Sequence, residues 1–370
     1  MWIEYILLFL LATSFIYTLV YQLYFWPKKL VEAAENKAEL AKGLSIVLTI
    51  KDDEENIKRH LSHFLDQNHP NFEVVVVDDH STDNSVFVIE ELKKSYPMLK
   101  TVYLTNENTK MRGLKLATTL GIKASKFESI LLSNINCKPR TNNWAKRMHE
   151  AKTKGIQVVS GFTYHRGEES FSNLLLRVHS LFNESLHLNL LEHSKPYSCG
   201  SCNLLVSKEL FLSSKGFAPN LYLPFGEFEL LFNKIATPTN SKAVLHPESF
   251  ISQRLELKKY SFIKEIAKQT VVENLFINNT NSILYFYKFF HVVFYPLLLL
   301  AIGLFSQYYL YFIGMFIAKV AVNLLYYYFN AKRTGQLRIV LLIPIVELIH
   351  ILVLFLGVAF GRFKKASSWK

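Results

Sequence analysis

The chain has few of the residues that staple or punctuate small folds: three cysteines, 14 glycines and 11 prolines in 370 residues. Cys137, Cys199 and Cys202 cannot build a disulfide framework and fit a reduced, cytoplasmic domain. Neither a Gly-x-Gly-x-x-Gly run nor a Walker lysine loop occurs, which argues against a dinucleotide fold or a P-loop. Internal repeats, low-complexity tracts and long linkers are also missing. Acidic residues are outnumbered by basic ones, 30 to 42, giving a net charge of +12. That excess does not call for nucleic acid, because many lysines and arginines flank apolar segments, where anionic lipid head groups are the simpler partner.

Apolar and aromatic residues are plentiful, at 50% and 14% of the chain, which points toward membrane segments. Residues 1–26 are apolar over about the length of a bilayer crossing and end at Trp26, Pro27, Lys28 and Lys29. They read as a transmembrane helix with a cytoplasmic basic end. A cleaved signal peptide would need a basic start, a shorter apolar core and a small-residue cleavage site. Three further candidates run from Ile283 to Phe305, Tyr308 to Phe329 and Ile339 to Phe360, within a C-terminal membrane region of 283–361. Lys288, His291, Lys319, Glu347 and His350 interrupt them and read as snorkelling or inter-helix pairing rather than a transport pathway. Lys28 and Lys29, then Lys332, Arg333 and Arg338, then Arg362, Lys364 and Lys365 all read as cytoplasmic, which four simple crossings cannot satisfy. Either one C-terminal segment is re-entrant or interfacial, or the tail is an exception to the rule.

Residues 41–256 alternate short β-branched runs with amphipathic stretches, the pattern of an α/β domain with a mostly parallel sheet. LSIVLTI, FEVVVVDD, TVYLT, SILLS and IQVVSG read as strands, with helices between them. Ligands of such sheets bind beyond the carboxyl ends of the strands. Lys51 to Asn56 follow the first strand and Asp78 to Asp83 the second. An acidic pair ending a buried strand needs donors, a cation or a helix N-terminus, so DDHSTDN reads as either a helix cap or a ligand site.

The run SIVLTIKDDEENI … LDQNHPNFEVVVVDDHSTDNS resembles the opening of family 2 glycosyltransferases. These are inverting, nucleotide-sugar-dependent enzymes of the Rossmann-like GT-A fold, some of them membrane-anchored. The likeness continues more faintly through GLKLATTLGIKAS, ILLSNINCKPRTNNW, PYSCGSCNLLVSKELF, FGEFELLFNKI and FISQRLELKKY. It implies that Asp52, Glu54, Asp78, Asp79 and Asp83 hold the nucleoside, and that Lys115 sits near the base or diphosphate. Asn203 would offer its amide to an acceptor hydroxyl, and Gln253 and Arg254 match the start of a motif that closes the donor and acceptor tunnel.

Three positions depart from the family pattern. Asn134-Ile135-Asn136 replaces the Asp-x-Asp that binds a divalent metal, Mn²⁺ or Mg²⁺, and two neutral amides should weaken that metal sharply. Phe228 occupies the position of the catalytic base, leaving Glu227 or Glu229 to serve if the loop shifts. Glu256 and Leu257 replace a later Arg and Trp. The Cys199-Gly200-Ser201-Cys202 stretch reads as small-residue packing rather than a metal motif. His165, His179, His187 and His193 read as core or surface residues whose spacing need not put them on one face. Residues 257–282, with Lys258, Lys259 and Lys264 near Phe262 and Ile263, read as an interfacial amphipathic region.

The expectation is an integral protein of a bacterial inner membrane, its GT-A domain cytoplasmic. It would pass a sugar from a nucleotide-sugar to a lipid-linked or polysaccharide acceptor, among membrane lipids and with an envelope-assembly protein as a further partner. The alternative is a pseudoenzyme, the same fold acting as a binding or scaffold subunit of envelope glycan assembly.

Overall fold

The structure is a computed structural model and describes residues 2–28, 36–104, 113–166, 170–254, 261–277, 281–344 and 347. Helix α1 (Trp2–Tyr24) and the short α2 (Lys37–Ala41) precede an α/β body. Its first half runs β1 (Leu44–Ile50), α3 (Glu54–Leu65), β2 (Phe72–Asp78), α4 (Ser85–Lys93), β3 (Leu99–Tyr103), α5 (Leu114–Ala124), β4 (Ser129–Leu132), β5 (Cys137–Pro139) and α6 (Trp144–Glu150). The second half runs β6 (Val158–Gly161), β7 (Thr163–Arg166), α7 (Phe171–Glu192), β8 (Leu204–Ser207), α8 (Lys208–Ser213), α9 (Glu227–Ile235), β9 (Ser241–Val244) and β10 (Ile251–Arg254). Then come α10 (Ser261–Glu273), α11 (Asn281–Leu304) and α12 (Tyr309–Thr334).

The central sheet has the order β3-β2-β1-β4-β8-β6-β9, parallel except for β8, which runs against both its neighbours. All seven residues of β1 are buried, as expected where helices cover both faces of a sheet. Helix α3 turns Ile57, Leu61, Phe64 and Leu65 inward and keeps its Glu54–Lys58 and Glu55–Arg59 pairs outside. The five strands read from sequence are present. Strands β5, β7, β8, β9 and β10, three or four residues long, are not among the strands read from the sequence. Three of them form a second small sheet, β5-β10-β7.

Helix α5 lies close on β1 and β2 because Gly121 has no side chain. A Cβ there would come within 2.7 Å of Val47 Cγ1 and 2.8 Å of Val77 Cγ2.

Among the described residues, three helices are long and apolar enough to cross a membrane: Trp2–Tyr24, Ser282–Leu304 and Ser306–Thr334. Most of the expected fourth segment lies outside the described residues, as do Lys29, Arg362, Lys364, Lys365 and His350. Leu7, Leu11, Phe294, Leu298, Ala301 and Phe312 pack these helices together. A polar chain joins them: Gln22 donates to Asn323, Asn323 and Tyr295 donate to Glu347, and His291 stands 2.9 Å from the same carboxylate. Lys319 sits over the rings of Phe294 and Tyr295 at 4.3 and 4.2 Å. Lys288 pairs instead with Glu273 of α10 at 2.7 Å. Helix α10 buries Ile266, Ala267 and Val272 in the protein, so those side chains are not free to meet lipid. Lys258 and Lys259 lie outside the described residues.

Replacing Gly121 with Val should lower stability by about 1–3 kcal/mol through overpacking against Val47 and Val77. Thermal or denaturant unfolding of the detergent-solubilised protein measures it.

Candidate active site

The loops after β1 and β2 are wired together by carboxylates. Asp52 accepts from the Thr82 amide at 2.7 Å and its hydroxyl at 3.1 Å, while the Asp52 amide donates to Ser81 Oγ at 2.9 Å. The Thr82 bonds hold the Asp52 carboxyl below its ordinary pKa. Asp83 accepts from the first amide of each adjoining helix, Glu54 of α3 at 3.1 Å and Ser85 of α4 at 3.0 Å. Asp78 accepts from the Ser81 amide and hydroxyl. Glu54 accepts from Lys58 and Asn84. Asp79 is buried with looser contacts, His80 Nδ1 at 3.2 Å and Lys51 Nζ at 4.0 Å. Asp52 and His80 both have positive φ, 50° and 61°, a strained setting for residues with side chains that concentrates at functional sites. DDHSTDN therefore caps helices, and leaves Asp79 as the acid of the group least committed to the loops.

Past β4, Asn134 and Asn136 stand at the edge of the small sheet. Strand β10 pairs with β5 beside them, so the Arg254 amide donates to Asn136 O at 3.1 Å and Gln253 lies opposite Cys137. Ser201 Oγ donates to Gln253 at 3.3 Å, and Asn134 Nδ2 reaches Ser201 O at 3.5 Å. Asn134 Oδ1 is buried without a partner. The donor set does not fit a tightly held divalent ion. Both side chains are neutral, and among the described residues no three His, Cys, Asp or Glu gather where they could hold a metal. Glu256 and Leu257 lie outside the described residues.

Asn134 and Gln253 face a cavity of about 240 Å³, which Glu227 and Glu229 of α9 also line. Gly226 starts that helix at φ +73°, and a Cβ on it would lie 2.4 Å from Val272 Cγ2 of α10. The turn drives Phe228 into the core and leaves the two glutamates at the cavity. Both are partly exposed, yet burial raises both carboxyls, Glu229 to about 8 with Glu227 as a further cause. Burial alone would keep an acid neutral, whereas the N-terminal end of α9 favours its ionised form.

Two residues expected at the ligands are committed to the scaffold instead. Lys115 Nζ donates to the carbonyls of Asn220, Leu223 and Phe225 at 2.7, 2.8 and 3.3 Å, holding the loop that leads to Glu227. Its buried ammonium uses all three protons there, so no donor is left for a base or diphosphate. Asn203 accepts from Trp144 Nε1 at 3.0 Å and donates to Phe162 O and Ser249 O at 3.1 and 2.9 Å, which leaves its amide no free donor for an acceptor hydroxyl. The cysteines are free and buried, and Gly200 backs directly onto Thr163 and Glu184, in keeping with small-residue packing.

The sequence pattern of glycosyl transferase family 2 matches residues 45–211, the segment that carries both wired loops and Asn134-Ile135-Asn136. Residues 45–211 form a family 2 domain. Glycosyltransferase GlyG of Streptococcus pneumoniae serotype 4 (strain ATCC BAA-334 / TIGR4) is 25% identical over 135 residues, 36% of this chain, and the chain spans only 43% of GlyG's length. Among solved structures, the mannosyltransferase PcManGT from Pyrobaculum calidifontis, in complex with GDP-Man and Mn²⁺, superposes with a TM-score of 0.59 at 16% identity. The match covers 94% of this chain and 98% of that one. S. aureus TarS 1-349 in complex with UDP-GlcNAc has a TM-score of 0.44 at 17% identity, covering 80% and 90%. The family 2 domain has the GT-A fold.

The α7 side chains of the cavity were not identified as a group from the sequence. His179 and His187 do share its wall with Asn183 and Glu184, whereas His193 packs against Tyr24 and Phe25. The readable signal was the recurrence of polar residues three or four apart on a mostly apolar helix.

In calorimetry with UDP and GDP, nucleotide binding by the native family 2 domain should not strengthen on adding Mn²⁺, whereas the Asn134→Asp, Asn136→Asp double variant should gain Mn²⁺ dependence. Lys115→Met should cost on the order of 2 kcal/mol of stability by stranding three carbonyls. The same variant should leave nucleotide affinity unchanged in calorimetry.

Proposed function

We propose that the protein is a membrane-attached, inverting glycosyltransferase that moves a sugar from a nucleotide-sugar to a hydroxyl of a lipid-linked or glycan acceptor. The observation that carries this reading is one cavity bordered by Asn134, Gln253, Glu227 and Glu229, in a chain whose residues 45–211 match the family 2 pattern. The nucleoside would lie on the β1 and β2 loops, with Asp79 accepting from the base edge. Arg254, beside Asn136, supplies positive charge toward the diphosphate. The GDP-Man carried by PcManGT supports a nucleotide-sugar donor.

Glu229 is the base in this scheme. It takes the proton of the acceptor hydroxyl, the hydroxyl oxygen bonds to the anomeric carbon from the face opposite the diphosphate, and the anomeric C–O bond breaks. The nucleoside diphosphate leaves with the electron pair. Glu229 suits this role because it lines the cavity with Cys199 and Glu184, while Glu227 also lines a small pocket with Lys115 and Lys234. The family 2 domain faces the cytoplasm, in line with its buried free cysteines and the basic ends of α1 and α12.

Transfer assays in membranes across a panel of nucleotide-sugars test this. Glu229→Gln should lower turnover by about 10²–10⁴-fold with nucleotide affinity intact, and Glu227→Gln by less. Because a base must be ionised, the native rate should rise with pH through about 8, the value to which burial pushes Glu229. A panel without turnover, or a Glu227→Gln, Glu229→Gln protein as active as the native one, defeats the proposal and favours a binding subunit.

A further inference from the structure

Helix α7 presents His179, Asn183, Glu184 and His187 to the cavity, spaced as one face of a helix. His179 and Asn183 meet Gln269 of α10 at 2.7 and 3.0 Å. The other two are left for something else. His187 is 4% exposed and neither of its ring nitrogens has a partner, and Glu184 Oε2 also lacks one. Buried polar atoms of this kind are rare in folded proteins, and a cavity beside them marks where a ligand would meet them.

The charge around the cavity narrows the ligand. Burial pushes Glu184 up to about 8 and holds His187 down near 3 and His165 and His179 near 4, so the α7 face is polar but uncharged near neutral pH. Glu227, Glu229, Glu265, Glu273 and Cys199, a thiol that burial keeps protonated, complete the titratable lining, against one lysine, Lys268, which pairs with Glu265 at 3.2 Å. An anionic group entering here would shed its water without gaining a free cation. Sugar hydroxyls both donate and accept, which is what a neutral carboxyl and an imidazole require. At about 240 Å³ the space lies below the ~300–1,000 Å³ of drug-sized sites, a size for one sugar unit.

Building on the transferase reading above, we propose that this face of α7 is the subsite for the acceptor sugar. It selects an uncharged residue over one bearing a phosphate, sulfate or carboxylate, with Glu184 and His187 contacting its hydroxyls.

The test uses the full chain in lipid nanodiscs, with p-nitrophenyl glycosides of neutral hexoses and N-acetylhexosamines beside p-nitrophenyl glycosides of hexuronic acids and of hexose 6-phosphates. Binding is read by saturation-transfer NMR and calorimetry. Neutral glycosides should bind at least about tenfold more tightly than anionic ones. The similar-sized but apolar Glu184→Met and the ring-preserving His187→Phe should each weaken neutral glycoside binding by about tenfold, with UDP or GDP affinity and the melting temperature retained. Equal or tighter binding of the anionic glycosides overturns the proposal. So does native affinity in both folded variants, or nucleotide binding with no glycoside binding at all. Failure of every nucleotide to bind the native protein counts against the transferase reading instead.

Discussion

Burying a helix that is polar on two flanks is the constraint on which this architecture turns. Helix α7 packs Leu175, Val178, Leu181 and Phe182 into a core shared with Tyr326, Tyr327 and Ala331 of α12. On the same side Asn189 donates to Tyr326 and Asn330, and Glu192 pairs with Arg333 at 2.9 Å. Another flank carries the polar side chains of the cavity. Each flank needs partners, because an unmet polar group inside a protein costs free energy that apolar contact does not return. A long apolar helix thus docks on one side and α10 closes over the other, itself tied to α11 through Glu273 and Lys288 and packed on α1 and α11 through Val272 and the following Phe276.

The mostly parallel sheet imposes a complementary order on the donor side. Strands buried on both faces leave little room for charge along their length, so the acids collect at the end of β2 and in the loops after β1 and β2. Most of them then serve the backbone. Asp83 satisfies the first amide of two helices and Asp52 ties one loop to the other, a use of charge that fixes the floor on which a nucleotide would lie.

Where the family motif changes, the fold changes its chemistry rather than its frame. Phe228 in place of the acid is absorbed by the core, and its helix still delivers two carboxylates one residue to either side. Asn134 and Asn136 keep the polar edge after β4 but bring no charge to it. With no charge on these amides, recognition at this edge rests on hydrogen bonds rather than on ion pairing.

The sequence by itself determined the features that are local in the chain. Continuous β-branched runs marked the buried strands, amphipathic spacing the first helices, and unbroken apolar length three of the membrane-type helices. The family likeness rested on a run of about forty residues whose spacing is set by one β-α-β unit. Tertiary structure alone decided the rest. Strands β5, β7 and β10 exist because they pair with one another, and four residues of mixed polarity carry no such instruction. Lys115 and Asn203 carry the right chemistry for ligands, yet three carbonyls and an indole from distant segments claim them first. Glu184 and His187 looked like ordinary polar residues of a helix until α9 and α10 enclosed them. A side chain's donors and acceptors are written in the sequence, but which partners reach them first is a property of the packed fold.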